Sequence, residues 1–255
     1  MTINKKLKQN IIDSIESQKE NVSIPDFLPK DRELLETYKI ARVLDRHLLN
    51  YFQENIEQKH LFNVKKEIEK IILKFKVEVL DSLLKEKDRF RKEINKKRKS
   101  FKNIFEFAGC ENLYLSNLYT RFISENMGHK LENIAQISNK TFSPEKELNI
   151  KLKGIDLIIY HEQKIKYVQL KTKKDTLTGS QSSRTINELK IHPYSIFAAA
   201  LDMGNSWTIN KNECEKYAIQ RLAGKSFWSL IDLEYNFILS KFGETIYTID
   251  QELFS

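Results

Sequence analysis

The chain has 255 residues, a hydrophobic fraction of 40% and a formal net charge of +8. That length can bury a real core, and 15 Phe, 10 Tyr and 2 Trp exclude a disordered chain. With no apolar run of about 18 residues, no uninterrupted apolar stretch near the N-terminus and no CxxC pair (Cys110 and Cys214 stand far apart), a membrane span, a signal peptide and a disulfide scaffold are not expected; a cytoplasmic protein is. The basic excess suits a solvated surface or a polyanionic partner such as DNA or RNA.

Residues 1–105 read as an all-helical region, with no glycine before Gly109 and with Pro25 and Pro29 together in one connection. Apolar residues recur at helical spacing over 31–54 (Leu34, Leu35, Tyr38, Ala41, Leu44, Leu48, Phe52) and again from about 56 to 99 (Ile68, Ile72, Phe75, Val79, Leu83). The second pattern ends in a run rich in Lys and Arg, 85–102, which fits a solvated helix face or a helix lying on phosphates. From residue 106 glycines appear and short β-rich runs alternate with helical ones, giving an α/β layout over 106–255. NLYLSNLYTRFISENMG reads as a helix closed by Gly128. ELNIKLKGIDLIIY and KIKYVQLK read as two strands joined tightly through HEQK. PYSIFAAALDMG reads as a buried strand, GKSFWSLIDLEYNFILSKFG as a helix ending at Gly243, and ETIYTID as a last short strand.

The chemistry concentrates in the two joined strands. Asp156 heads the apolar run IDLIIY, where an unpaired carboxylate is costly and needs a reason. In YVQLK, Gln169 and Lys171 share one strand face, and a hairpin through HEQK lays both beside Asp156 at a sheet edge. A carboxylate and an amide oxygen suit a hard cation such as Mg²⁺, with the backbone carbonyl of Leu170 as a third oxygen. A lysine beside them can position a water and neutralise a phosphate. The same spacing is also compatible with a plain surface hairpin. The histidines form no HxxxH or HNH-like cluster, and no GxxxxGK[ST] loop exists, so zinc chemistry and ATP-driven translocation are not expected.

GIDLIIYHEQKIKYVQLK resembles the D-x(n)-(D/E)-x-K signature of the PD-(D/E)xK nuclease superfamily. The family's metal aspartate falls on Asp156 and its lysine on Lys171; its second acid falls on Gln169 and its proline on Ile155. SIFAAALDMGNSW with RLAGKSFWSLI is similar to a segment of type II restriction endonucleases that cut GG-N-CC sites, here Gly224, Lys225, Phe227 and Trp228. The likeness spans about residues 110–240. It implies a restriction-endonuclease-like mixed central sheet flanked by helices. It also implies Mg²⁺-dependent, sequence-specific hydrolysis of double-stranded DNA to 5′-phosphate ends, and a cognate DNA methyltransferase as a separate protein. A repair or junction nuclease of the same fold, and a non-catalytic DNA-binding protein, stay open.

Superfamily members often add an acid from the helix before the first core strand, for which Glu125 is the first candidate and Glu132 the second. The polar segment from Lys171 to Lys190 is expected to leave the sheet near DNA. Lys174, Ser180, Gln181, Arg184 and Lys190 are its candidate DNA contacts, with Arg184 the base reader. Phe227 and Trp228 are expected in the core. Cutting two strands takes two sites, so a homodimer is expected, with the 31–84 helices as its interface.

Overall fold

The computed structural model describes residues 3–55, 63–96, 101 and 103–254. In chain order its elements are α1 (Lys5–Gln18), α2 (Arg32–Asn55), α3 (Val64–Ile94), α4 (Ile104–Phe107), α5 (Glu111–Ala135), β1 (Thr141–Phe142), α6 (Pro144–Leu148), β2 (Leu157–His161), β3 (Lys164–Lys171), α7 (Gly179–Leu189), β4 (Ser195–Ala199), α8 (Lys211–Lys216), β5 (Ile219–Ala223), α9 (Lys225–Leu230) and α10 (Tyr235–Phe254). The protein is therefore mixed α/β with an N-terminal helical region. Among the described residues, no helix is long and apolar enough to cross a membrane.

The chain forms two compact units. One comprises 1–63 and 132–235, the other 64–131 and 236–255. This division differs from the expected boundary at 105/106, because α1 and α2 belong with the sheet.

In the first unit the strands lie in the order β1-β2-β3-β4-β5. β1, β2 and β3 pair antiparallel, whereas β3–β4 and β4–β5 are parallel. The antiparallel step needs only a tight turn: His161 pairs with Lys164, and Glu162 and Gln163 between them have φ of 53° and 58°, the left-handed pair of a type I′ hairpin. The parallel steps need crossovers, supplied by α7 and α8. β3 is thus the central strand, and the expected sheet edge is instead the end of that strand.

One sheet face carries Ile158, Tyr160, Ile165, Tyr167 and Phe197 into a core with Ile11 and Ile15 of α1, Leu44, Leu48 and Phe52 of α2, and Ile186 and Leu189 of α7. The apolar stripe of α2, expected to face a partner subunit, is consumed here. Tyr167 anchors the contact, its single hydroxyl proton shared between the Ala41 carbonyl at 2.9 Å and Asp45 Oδ1 at 2.8 Å. Phe227 and Trp228 are fully buried, as expected, and Trp228 Nε1 donates to the Ala200 carbonyl at 2.7 Å.

The second unit joins α3, α4, most of α5 and α10. Phe75 meets Phe242 edge to face at 5.5 Å, and Tyr119 donates to the Ile246 carbonyl at 3.1 Å. The buried Glu106 is held by Arg89 at 2.6 Å. Of the basic run, residues 97–100 and 102 lie outside the described residues.

Several boundaries differ from expectation. α5 runs through Gly128 and α10 through Gly243, so ETIYTID is helix and not strand. Both helices keep apolar positions to bury beyond the glycine, Leu131 and Ile134 in one and Ile249 and Leu253 in the other. That outweighs roughly 1 kcal/mol of glycine propensity. The 179–189 stretch, part of the polar segment expected to leave the sheet, is α7. Thr178 caps it, with Gln181 Oε1 accepting from the Thr178 amide at 2.9 Å. The strand expected from Glu147 begins only at Leu157, after α6 and an irregular stretch.

Candidate active site

The hairpin register sets the first part of the site. Leu157 pairs with Val168, and the Asp156 amide donates to the Val168 carbonyl at 2.9 Å, so Asp156 lies beside Gln169. Asp156 Oδ2 accepts from the Leu170 amide at 2.7 Å, which locks the carboxylate onto β3. Burial pushes the Asp156 carboxyl above its usual range. The Lys171 charge and the Leu170 amide pull the other way, while Glu145 and Glu188 add to the rise.

Gln169 and Lys171 follow Tyr167 on the face covered by α2 and α7. Gln169 is buried, and its Nε2 donates to Glu188 Oε2 at 3.4 Å. Its Oε1 is buried with no hydrogen-bond partner. Flipping the amide would turn Oε1 onto a carboxylate, so the orientation is chemically the right one.

Glu188 is the residue that the sequence pattern missed. It lies in the last turn of α7 and is 4% exposed, unusual for a carboxylate. Arg184, one turn earlier, pairs with its Oε1 at 2.8 Å. Gly154 makes room for it. At φ +72°, an added Cβ there would stand 2.4 Å from Glu188 Oε2 and 2.6 Å from its Cβ. The glycine of GID therefore has two causes, a left-handed backbone and the approach of this glutamate.

Gly154, Gln169, Lys171, Leu177, Thr185 and Glu188 line a cavity of about 300 Å³ together with Thr176, Gln181 and Arg184. Asp156 is not among its lining residues; it stands opposite Gln169, which is, and is bonded to the Leu170 amide. A groove of about 730 Å³ shares Gly154 and Arg184 with the cavity and adds Arg32, Lys151 and Lys153 among its lining.

The remaining candidates divide. Gln181 and Arg184 line the cavity. Lys174 is tied to Asp202 at 2.6 Å, Ser180 is exposed with its Oγ 3.5 Å from Thr178 Oγ1, and Lys190 caps α7 over the Tyr217 ring at 5.1 Å. Glu125 lies apart from these residues in the chain's division into units. It is exposed on α5 in the second compact unit and paired with Arg121 at 3.7 Å. Glu132 is half-buried near the end of α5. Glu145, in the first turn of α6, adds negative charge that helps to raise the Asp156 carboxyl.

Among the described residues, no three His, Cys, Asp or Glu side chains are grouped to hold a metal ion. The set here is two carboxylates, Asp156 and Glu188, with the amide oxygen of Gln169. All are oxygen donors, and the unpartnered Gln169 Oε1 is a buried acceptor awaiting a positive or donating group. That chemistry fits a hard cation that keeps several of its waters.

Comparison with family models, curated proteins and solved structures gives no match to this chain.

Proposed function

We propose that the protein is a Mg²⁺-dependent DNA endonuclease acting through Asp156, Gln169, Glu188 and Lys171. The observation that carries this is the buried, unpartnered Oε1 of Gln169, a residue that lines one cavity together with a buried glutamate and a lysine. Asp156, Gln169 and Glu188 would hold the cation, with the Leu170 carbonyl as a further oxygen. When bound, Mg²⁺ would polarise the phosphoryl group and lower the pKa of a water.

The chain's own groups do the rest. Lys171 faces the cavity, neutralises charge on the phosphate and orients the attacking water. Water oxygen bonds to phosphorus, the P–O3′ bond breaks, and a proton goes to the leaving 3′ oxygen, leaving a 5′-phosphate. The Leu170 amide holds Asp156 in place throughout.

The finer proposal is a type II restriction endonuclease of the PD-(D/E)xK superfamily with a restriction-endonuclease-like sheet, paired with a separate DNA methyltransferase. It rests on the hairpin signature and on a mixed sheet whose central strand carries Gln169 and Lys171. In that proposal the protein is a homodimer. Because α2 is covered, the exposed Leu73, Val77 and Leu84 of α3 are the better interface.

A non-catalytic DNA-binding protein is the second reading, favoured by an amide where the superfamily has an acid. Incubating the protein with unmethylated phage DNA and Mg²⁺ separates these. A reproducible fragment ladder supports restriction, and non-specific nicking supports a repair or junction nuclease. Binding without cleavage supports the second reading.

A further inference from the structure

Glu188 has one carboxylate and two claimants. Arg184 Nε donates to its Oε1 at 2.8 Å, yet the Arg184 side chain is 67% exposed while that of Glu188 is 5% exposed. The pair therefore joins a fixed acid to a base that is anchored only at its tip. On its other side the acid packs closely over Gly154 and accepts from the Gln169 amide, contacts that do not involve the arginine. Arg184 also lines both the cavity and the neighbouring groove, where Arg32, Lys151 and Lys153 add positive charge. Within the groove Lys153 is paired with Glu33, and Glu36 is paired with Lys19 at 2.5 Å.

We propose that Arg184 is an exchangeable counter-ion: it neutralises Glu188 until a divalent cation takes that carboxylate, and then turns into the groove to meet a phosphate of the nucleic acid. Cation binding and polyanion binding are thereby coupled through one side chain. The inference rests on the endonuclease proposal for the same cavity, but it adds a competition that the proposal does not require. A guanidinium and a divalent cation cannot both neutralise one buried carboxylate without like-charge repulsion, so removing the first must favour the second.

Two measurements on the full chain test it. In the first, Mn²⁺ binding without DNA is followed by paramagnetic resonance for the wild type, Arg184→Gln and Arg184→Lys. Arg184→Gln is expected to bind Mn²⁺ about fivefold tighter, the scale of one partly exposed ion pair, and Arg184→Lys to stay near wild type. Unchanged or weaker binding by a folded Arg184→Gln overturns the exchange.

In the second, binding of one DNA duplex is measured in EDTA and in Ca²⁺. The Arg184→Gln defect is expected only in Ca²⁺, at about tenfold, with less than about twofold in EDTA. An equal defect in both overturns the exchange. If Arg184→Gln does not fold, the same pair of DNA measurements on Arg184→Met decides, because a methionine keeps an apolar stem without the charge. A Ca²⁺-confined defect supports the exchange, and no defect or an equal one overturns it. A wild type that binds neither Mn²⁺ nor DNA overturns the endonuclease proposal and this inference together. Mn²⁺ and DNA binding without the expected Arg184 effects overturns only the inference.

Discussion

Gly154→Ala gives the sharpest test of how the site is assembled. The new Cβ would lie 2.4 Å from Glu188 Oε2, 2.6 Å from its Cβ and 2.7 Å from its Cδ. Two of those contacts could be relieved by turning the glutamate, but the contact to Cβ requires α7 itself to shift. The backbone adds a second cost, because φ is +72°. Gly204 separates the two. Its φ is +78°, and an added Cβ meets nothing within 4 Å. Gly204→Ala should therefore show only the left-handed backbone term, about 1–2 kcal/mol. Gly154→Ala should add an overpacking term of about 1–3 kcal/mol, for a total of roughly 2–5 kcal/mol. Urea denaturation measures both. The displaced Glu188 should also lower Mg²⁺-dependent cleavage by about 100-fold, the scale of a 1 Å misplacement, while Gly204→Ala cleaves normally. Equal destabilisation by the two variants would refute the packing of Glu188 on Gly154.

Three further outcomes are expected. Gln169→Glu sets a second carboxylate against Glu188, so its thermal midpoint should fall in EDTA and recover in Mg²⁺; a midpoint indifferent to both would mean that the two side chains do not face each other. His192 is buried, stacks on Tyr167 at 4.0 Å and has no partner at either ring nitrogen, and burial with the nearby Arg42 charge holds its pKa well below the usual value. The unfolded chain therefore takes up a proton that the folded one refuses, so stability should fall as pH drops below about 6.5, by up to about 1.4 kcal/mol per unit. His192→Phe should flatten that slope. Asp45, raised by burial, titrates in the opposite sense in both proteins, so a slope that His192→Phe leaves unchanged would remove His192 as its source. Leu73→Asp with Val77→Asp should shift sedimentation from dimer to monomer, and an unchanged sedimentation profile would exclude the α3 face as the interface.

The sequence made the hairpin legible because its signals are local. Strict alternation put Gln169 and Lys171 on one face, HEQK closed the turn, and Asp156 had to fall opposite Gln169. Glu188 was not legible in the same way. It stands 17 positions after Lys171, beyond a loop and most of a helix, and its i,i+4 spacing from Arg184 looks like any surface ion pair. Only the third dimension brings it under Gly154. The one available hint was its place between Ile186 and Leu189, on the apolar side of α7. Glu125 is read from its place on the helix before the first core strand; that helix is α5, ahead of β1, and Glu125 lies in the second compact unit. The glycine stops failed at Gly128 and Gly243 because a continuing apolar stripe outweighs a single propensity term.

The central claim is that Asp156, Gln169, Glu188 and Lys171 form one metal-assisted phosphodiester site. Conversion of supercoiled plasmid by the wild type, Asp156→Ala, Lys171→Ala and Glu188→Gln, in Mg²⁺ and in EDTA, tests it most directly, with DNA binding in Ca²⁺ as the control for folding. The wild type should cut only in Mg²⁺, and each variant should bind DNA but cut at least about 100-fold more slowly. A wild type that binds and never cuts, or a Lys171→Ala or Glu188→Gln protein that cuts at the wild-type rate, would contradict it.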